Sequence, residues 1–189
     1  QKEVVAILNN SSRHLQTLIE QLLDYNRKLA DAPTLSVAVD LNALVADVVA
    51  ANSLPARAKK IRSEVHIDAP QCLAEPTLLR RVLDNLYSNA VHYGAESGTI
   101  WVRSRPGEGR VIIEVANSGA PIPDAERAMI FEPFYQGSQQ RKGAVKGSGL
   151  GLSIAQDCIR RMHGELQLVA VEDADVCFRI ELPLTAEKN

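Results

Sequence analysis

Two segment pairs limit what this chain can fold into. Ile100 to Arg105 and Arg110 to Ala116 read as strands joined by Pro106-Gly107-Glu108-Gly109. Glu165 to Val171 and Val176 to Leu184 form a second such pair, joined through Glu172-Asp173-Ala174-Asp175. Each pair predicts a hairpin. Between and before them the spacing changes from two to three and four. Leu79, Val82, Leu83, Leu86 and Ala90 share one face of a helix that Glu75-Pro76 opens and that runs to Tyr93, Pro suiting a first turn. Ser153 to Met162 carries another helical pattern, and a further helix is expected from Asp40, with Leu41, Leu44, Val45, Val48 and Val49 on one side. Ile61 to Ile67 alternates as a strand, and Gln71 to Ala74 reads as a short one. Hairpins interleaved with helices imply a mixed sheet with helices on one face, an α+β two-layer sandwich.

A different pattern occupies the N-terminal residues. Val5, Leu8, Ser12, Leu15, Leu18, Leu22, Tyr25 and Leu29 recur at helical steps, which predicts one long helix over residues 2–30 with a narrow apolar seam that wants a partner helix. Asp31-Ala32-Pro33-Thr34 breaks it, so the expected division is residues 1–32 and 33–189. The chain has 189 residues, enough for one domain with a full core and an extra piece. A net charge of −2 and 4% aromatic content give no reason to expect nucleic-acid binding. Cys72, Cys158 and Cys177 lie far apart without C-x-x-C spacing, which points to neither a disulfide framework nor a zinc site but to a reduced, cytoplasmic setting. Asn42, Asp47 and Asn52 interrupt the longest apolar run, so no membrane helix is expected. A start at Gln1 without Met reads as a piece of something longer.

Four stretches can carry chemistry. In Lys146-Gly147-Ser148-Gly149-Leu150-Gly151-Leu152 three glycines leave backbone N–H groups unshielded just where a helix begins, and its dipole end adds positive potential. Such a turn binds phosphate, although its G-x-G-x-G spacing is neither a Walker loop nor a dinucleotide fingerprint. Taken alone it is equally a loose helix entry. Asn85 and Asn89 stand one turn apart on the predicted helix, and each costs roughly 0.5–0.7 kcal/mol relative to Ala. Holding Mg²⁺ through neutral amide oxygens beside phosphate would justify them; a solvated polar face is the plain alternative. Asn117-Ser118-Gly119 ends a strand, where it is a turn or a polar contact for the edge of a flat ring. Phe131-Glu132-Pro133-Phe134-Tyr135 packs three of the chain's eight aromatic residues into five positions before a Gly-, Ser-, Gln- and Lys-rich loop, residues 137–149. It reads as core or as the anchor of a flap whose Arg141, Lys142 and Lys146 reach phosphates or stay solvated.

These four stretches share the order and approximate spacing of the N, G1, F and G2 boxes of bacterial two-component sensor histidine kinases. Residues 36–186 resemble their catalytic ATP-binding domain, residues 2–30 resemble the second helix of the dimerisation and histidine-phosphotransfer hairpin, and residues 136–165 are similar to the GlrK (QseE) type. The resemblance implies a Bergerat-type fold in which Mg²⁺ and ATP or ADP lie between the N-box helix, the G1 turn and a lid. It implies nucleotide contacts from Asn85, Asn89, His92, Tyr93, Asn117, Gly119, Ile122, Phe131, Arg141, Lys142, Lys146, Gly147, Ser148, Gly149, Leu150, Gly151 and Leu152, with Asn89 at the metal and Asn85 beside it in catalysis. The sequence departs from the pattern at His92, where Lys or Arg is usual, and at Asn117, where Asp is usual; an amide there can still accept from an exocyclic amine but can also donate. The implied partners are a phosphoacceptor helix of the same kinase, a response-regulator receiver domain and a second copy in the full-length protein. That protein is expected in the bacterial inner membrane with this domain in the cytoplasm. His14, His66, His92 and His163 are not followed by an acidic residue, so the chain alone is not expected to phosphorylate itself. A regulatory nucleotide-binding module or an ATP-driven conformational clamp of the same superfamily is the rival reading.

Overall fold

The computed structural model describes residues 35–137 and 149–184, all in the second of two units of the chain, Leu35–Asn189. The helix expected over residues 2–30, the boundary at residues 31–34 and the loop residues 138–148 lie outside the described residues.

Strand β1 (Val37–Asp40) runs straight into helix α1 (Leu41–Ala51). Asp40 makes that junction sharp, because its Oδ1 accepts from the N–H groups of Asn42 at 2.9 Å and Ala43 at 3.2 Å. Such a cap contributes about 1 kcal/mol. A short helix α2 (Ser53–Ala58), strand β2 (Arg62–Ile67) and strand β3 (Gln71–Ala74) come next. Helix α3 (Pro76–Tyr93) starts as the sequence predicts, with Pro76 in the first turn and the Glu75 carboxylate accepting from Thr77 N–H at 3.2 Å and Leu78 N–H at 2.6 Å. Then come β4 (Thr99–Pro106), β5 (Arg110–Asn117), a single 3-10 turn at Asp124–Glu126, α4 (Gly151–Arg161), β6 (Glu165–Val169) and β7 (Val176–Pro183).

The main sheet has five strands in the order β2-β4-β5-β7-β6. Both expected hairpins are present, β4 with β5 and β6 with β7, and β5 and β7 join them antiparallel in the middle. One edge is different: β2 pairs with β4 in parallel. Parallel neighbours need a crossover, and the connection between these two runs through β3 and α3. β3 itself joins no strand of the main sheet but pairs antiparallel with β1, Val37 opposite Ala74. The sequence reading contained neither β1 nor α2. β1 is four residues long and owes its strand to a partner more than thirty positions away. α2 holds Pro55, which is tolerable because it stands in a first turn whose N–H groups have no helical acceptor.

Helix α3 is the centre of the core. Leu79, Val82, Leu83 and Leu86 are at most 1% exposed, and they share one hydrophobic cluster with Ile100, Val102, Ile113, Val115 and Ile180 of the sheet and Ala155 and Ile159 of α4. Full burial contributes about 1.5–3 kcal/mol for each large aliphatic side chain, so α3 is pinned by several of them. The opposite sheet face is charged. Arg103, Glu114 and Arg179 stand in one cross-strand row, and the Arg179 guanidinium donates to Glu114 Oε1 through Nε at 2.8 Å and a terminal nitrogen at 2.7 Å.

Candidate functional site

A cavity of about 320 Å³ lies between α3, the turn after β5 and the start of α4, at the lower end of the range for small-molecule sites. Asn85, Ser88, Asn89 and Tyr93 line it from α3, Asn117 from the end of β5, and Ile122 from the segment between β5 and the 3-10 turn. Gly149, Gly151 and Leu152 line it from the entry to α4, and Val176 and Phe178 from β7. Stretches distant in sequence therefore meet at one cavity.

The α4 side favours negative charge. Among the described residues no side chain caps α4: Leu150 precedes it, and the Ser153 hydroxyl donates to Leu150 O at 2.9 Å instead of accepting from a helix N–H. A helix start without a cap keeps donors and the positive dipole end open to a ligand. The backbone also comes close to α3, since a Cβ on Gly151 would lie 3.7 Å from Asn85 Oδ1. Asn85 adds a donor of its own. Its Nδ2 is buried and has no hydrogen-bond partner among the described residues, an arrangement that costs about 1–3 kcal/mol until an acceptor arrives. Phosphate oxygens are acceptors of the required kind.

The G1 turn is held from several directions. Asn117 ends β5 with 4% exposure, and its Nδ2 donates to Ser118 O at 3.2 Å. That bond uses one of the two Nδ2 hydrogens, and the carbonyl oxygen Oδ1 is the acceptor that the side chain can offer a ligand. Ser118 N–H donates to Thr99 O at 3.0 Å, its Oγ accepts from Thr99 N–H at 2.8 Å, and its carbonyl accepts from Ala95 N–H at 2.9 Å.

Other residues singled out from the sequence stand elsewhere. His92 is exposed and outside the cavity lining, its ring edge-on to Tyr93 with centroids 4.6 Å apart. The Lys59 ammonium donates to the carbonyls of Val91, at 2.7 Å, and His92, closing the C-terminus of α3. Partial burial and then the Lys59 charge hold the His92 imidazole below its ordinary value. Phe131 supports the wall from behind, packed edge-on against Phe178 with centroids 6.2 Å apart. Gly119 and Leu150 flank lining residues without lining the cavity, and Arg141, Lys142, Lys146, Gly147 and Ser148 lie outside the described residues. Reading the sequence also missed lining residues: Ser88, Glu126, Val176 and Phe178 were given no part in a site, and Tyr135 entered only as the end of the aromatic stretch. Val176 and Phe178 alternate along β7, a signal of a shared face, but only the register Asn117 opposite Val176 brings them to the cavity. No group of three or more His, Cys, Asp or Glu side chains among the described residues could hold a metal ion.

Known proteins with this arrangement agree on its kind. The family described as histidine kinase-, DNA gyrase B-, and HSP90-like ATPase matches residues 74–186. The sensor histidine kinase GlrK of Escherichia coli (strain K12) is 68% identical over 183 residues, which are 97% of this chain and 38% of that protein. This chain thus spans well under half the length of that relative. Among solved structures, the catalytic domain of histidine kinase ThkA superposes with a TM-score of 0.70 at 30% identity, over 82% of this chain and 99% of that one. Full-length ShkA in complex with AMPPNP gives a TM-score of 0.71 at 28% identity over 98% of this chain and 39% of that one. ThkA in complex with the response regulator protein TrrA gives 0.71 at 29% identity, over 97% and 51%. With a five-stranded mixed sheet, a helix-lined cavity beside an open helix start and these matches, the chain belongs to the histidine kinase-, DNA gyrase B- and HSP90-like ATPase family, as a catalytic domain of its sensor histidine kinase branch.

Proposed function

We propose that the cavity binds Mg-ATP and that the domain transfers the γ-phosphate to a histidine on a separate hairpin helix, for relay to the receiver domain of a response regulator. The observation that carries this reading is the meeting, in one cavity, of the open start of α4 and the partnerless Asn85 amide. Both are donors waiting for an anion.

In this reading the backbone at Gly149, Gly151 and Leu152 faces the phosphates, and Arg141, Lys142, Lys146, Gly147 and Ser148 are proposed as further phosphate contacts. Asn85 Nδ2 donates to a phosphate oxygen. Asn89 would hold Mg²⁺ through its amide oxygen; among the described residues the cavity lining has one carboxylate, Glu126. Bound there, the ion would neutralise charge that develops on the transferring phosphoryl group. Asn117 Oδ1 accepts from the exocyclic amine of adenine, and Ile122, Val176 and Phe178 supply apolar contact. No residue here needs to form a covalent bond; the domain's share of catalysis is orientation and charge neutralisation. His92 stands off the cavity and is given no phosphate contact.

Support for the relay comes from the kinds of protein this chain is similar to, one of them solved with AMPPNP and one with a response regulator. We place residues 1–32 as the second helix of the acceptor hairpin, pairing in a homodimer of the full-length protein, and the domain of residues 33–189 on the cytoplasmic side of the bacterial inner membrane. Calorimetric titration with Mg-ATP, then incubation with γ-labelled ATP and a separately supplied first helix bearing a His-Glu or His-Asp motif, tests the proposal. Label should reach the supplied helix and not this chain. Absence of ATP binding overturns the site; binding without transfer favours the regulatory-module reading. Acid-labile label on this chain alone, lost in His14→Ala, would refute the hairpin assignment.

A further inference from the structure

The loop between β6 and β7 does not line the cavity, yet its last residue grips the turn that carries Asn117 at two points. Asp175 N–H donates to Asn117 O at 3.2 Å, and Gly119 N–H donates to Asp175 Oδ2 at 2.8 Å. One exposed residue thus brackets the three-residue turn Asn117-Ser118-Gly119 from outside. The same loop is tied down a second time, because Asp173 pairs with Arg103, whose guanidinium lies 5.6 Å over the Trp101 ring. On its other side the turn meets the end of α3, through Ala95 N–H on Ser118 O and a bridge between Gly94 and Gly119.

The carboxylate matters because of what the Gly119 N–H would do without it. An asparagine side chain readily accepts from the backbone N–H two residues on, closing an Asx turn. For Asn117 that N–H belongs to Gly119. Closing such a turn would engage Oδ1, the acceptor atom of the side chain, whereas the observed bond to Ser118 O uses Nδ2. Asp175 occupies the Gly119 donor first. We infer that Asp175 is a positioning residue for nucleotide recognition: by holding Gly119 N–H it prevents an Asx turn at Asn117 and keeps Asn117 Oδ1 presented to the cavity.

The inference rests on the adenine-nucleotide reading of the cavity, and its test separates the two. On the whole chain, Asp175→Ala should weaken Mg-ATP binding about tenfold, the equivalent of one lost ligand hydrogen bond. Asp175→Asn keeps an acceptor oxygen and should stay within about twofold of wild type. In an Asn117→Ala background, Asp175→Ala should add nothing, since the side chain it protects is gone. Wild-type affinity in Asp175→Ala, equal losses in the Ala and Asn variants, or the same further loss on Asn117→Ala each overturn the proposal. A second readout needs no nucleotide. The Gly119 amide and the Asn117 side-chain NH₂ signals should both move in Asp175→Ala protein free of ATP; unmoved signals overturn the clamp. If wild type takes up no ATP at all, the nucleotide reading fails while these signals still judge the contact.

Discussion

Replacing Gly149 by alanine measures how much the start of α4 depends on backbone shape. Gly149 has φ +72°, and a Cβ there would come within 2.7 Å of Phe134 C and 2.8 Å of both Phe134 Cα and Tyr135 O. The left-handed conformation alone costs about 1–2 kcal/mol for a residue with a side chain. All three close atoms are backbone, so no rotamer change relieves the contact. The segment must move away from Phe134, giving up the bond from Phe134 N–H to Gly149 O at 2.9 Å, about another 1 kcal/mol. Together these total about 2–3 kcal/mol, which is about a 30- to 150-fold rise in the Kd for Mg-ATP if the turn must be formed to bind. Gly109→Ala is the matched control. It has φ +67° in the β4–β5 turn, but nothing lies within 4 Å of the added carbon, so it should lower stability by about 1–2 kcal/mol and leave the Kd unchanged. Titration calorimetry and urea unfolding of both variants give the comparison. Near-wild-type ATP affinity in Gly149→Ala, or equal losses in the two variants, would refute the reasoning.

Asn89→Ala should cost at least ~1.5 kcal/mol of Mg-ATP binding, and Asn85→Ala should weaken ATP while raising the stability of nucleotide-free protein by about 1 kcal/mol, because a buried donor without a partner disappears. Unfolding curves that show Asn85→Ala less stable than wild type would contradict the second half. His92 is held below its ordinary value, so protonating it opposes folding: stability is intact above the ordinary imidazole range, about pH 6.5, and declines as pH falls through the depressed value. His92→Gln should flatten that decline in urea titrations across this interval, and an unchanged slope counts against it. Burial pushes the Cys72 and Cys177 thiols up to about 12 and raises Cys158 as well. All three should therefore resist a thiol reagent at mildly alkaline pH until the protein is denatured, which a colorimetric assay reads directly.

What could be read from the sequence was local. Helix α3 has its cap, its Pro and its apolar face within eighteen residues, and both hairpins carry their turns between their strands. The asparagine pair and the Asn117 turn were visible as polar residues that plain helix or strand formation does not require. What escaped depends on partners far along the chain. β1 is a strand because β3 pairs with it, and Val176 and Phe178 reach the cavity because of the β5–β7 register. Helical spacing groups His92 with Asn85, yet its ring lies outside the lining, edge-on to Tyr93, and Tyr93 is the residue of that last turn that meets the cavity. Phe131 could be read as core or as part of a flap anchor, and its role of buttressing Phe178 emerges only with the placement of β7.

The family match starts at residue 74, but the sheet does not. Strand β2 shields the edge of β4, and Leu41, Val45 and Val48 of α1 are almost wholly buried. A fragment cut to residues 74–186 would leave β4 as an outer strand, its backbone donors and acceptors open beside Ile100 and Val102. Such an edge recruits other strands, so the fragment should self-associate in light scattering where residues 35–184 do not. The stretch that the family model matches and the stretch that covers the edge of the sheet are different objects.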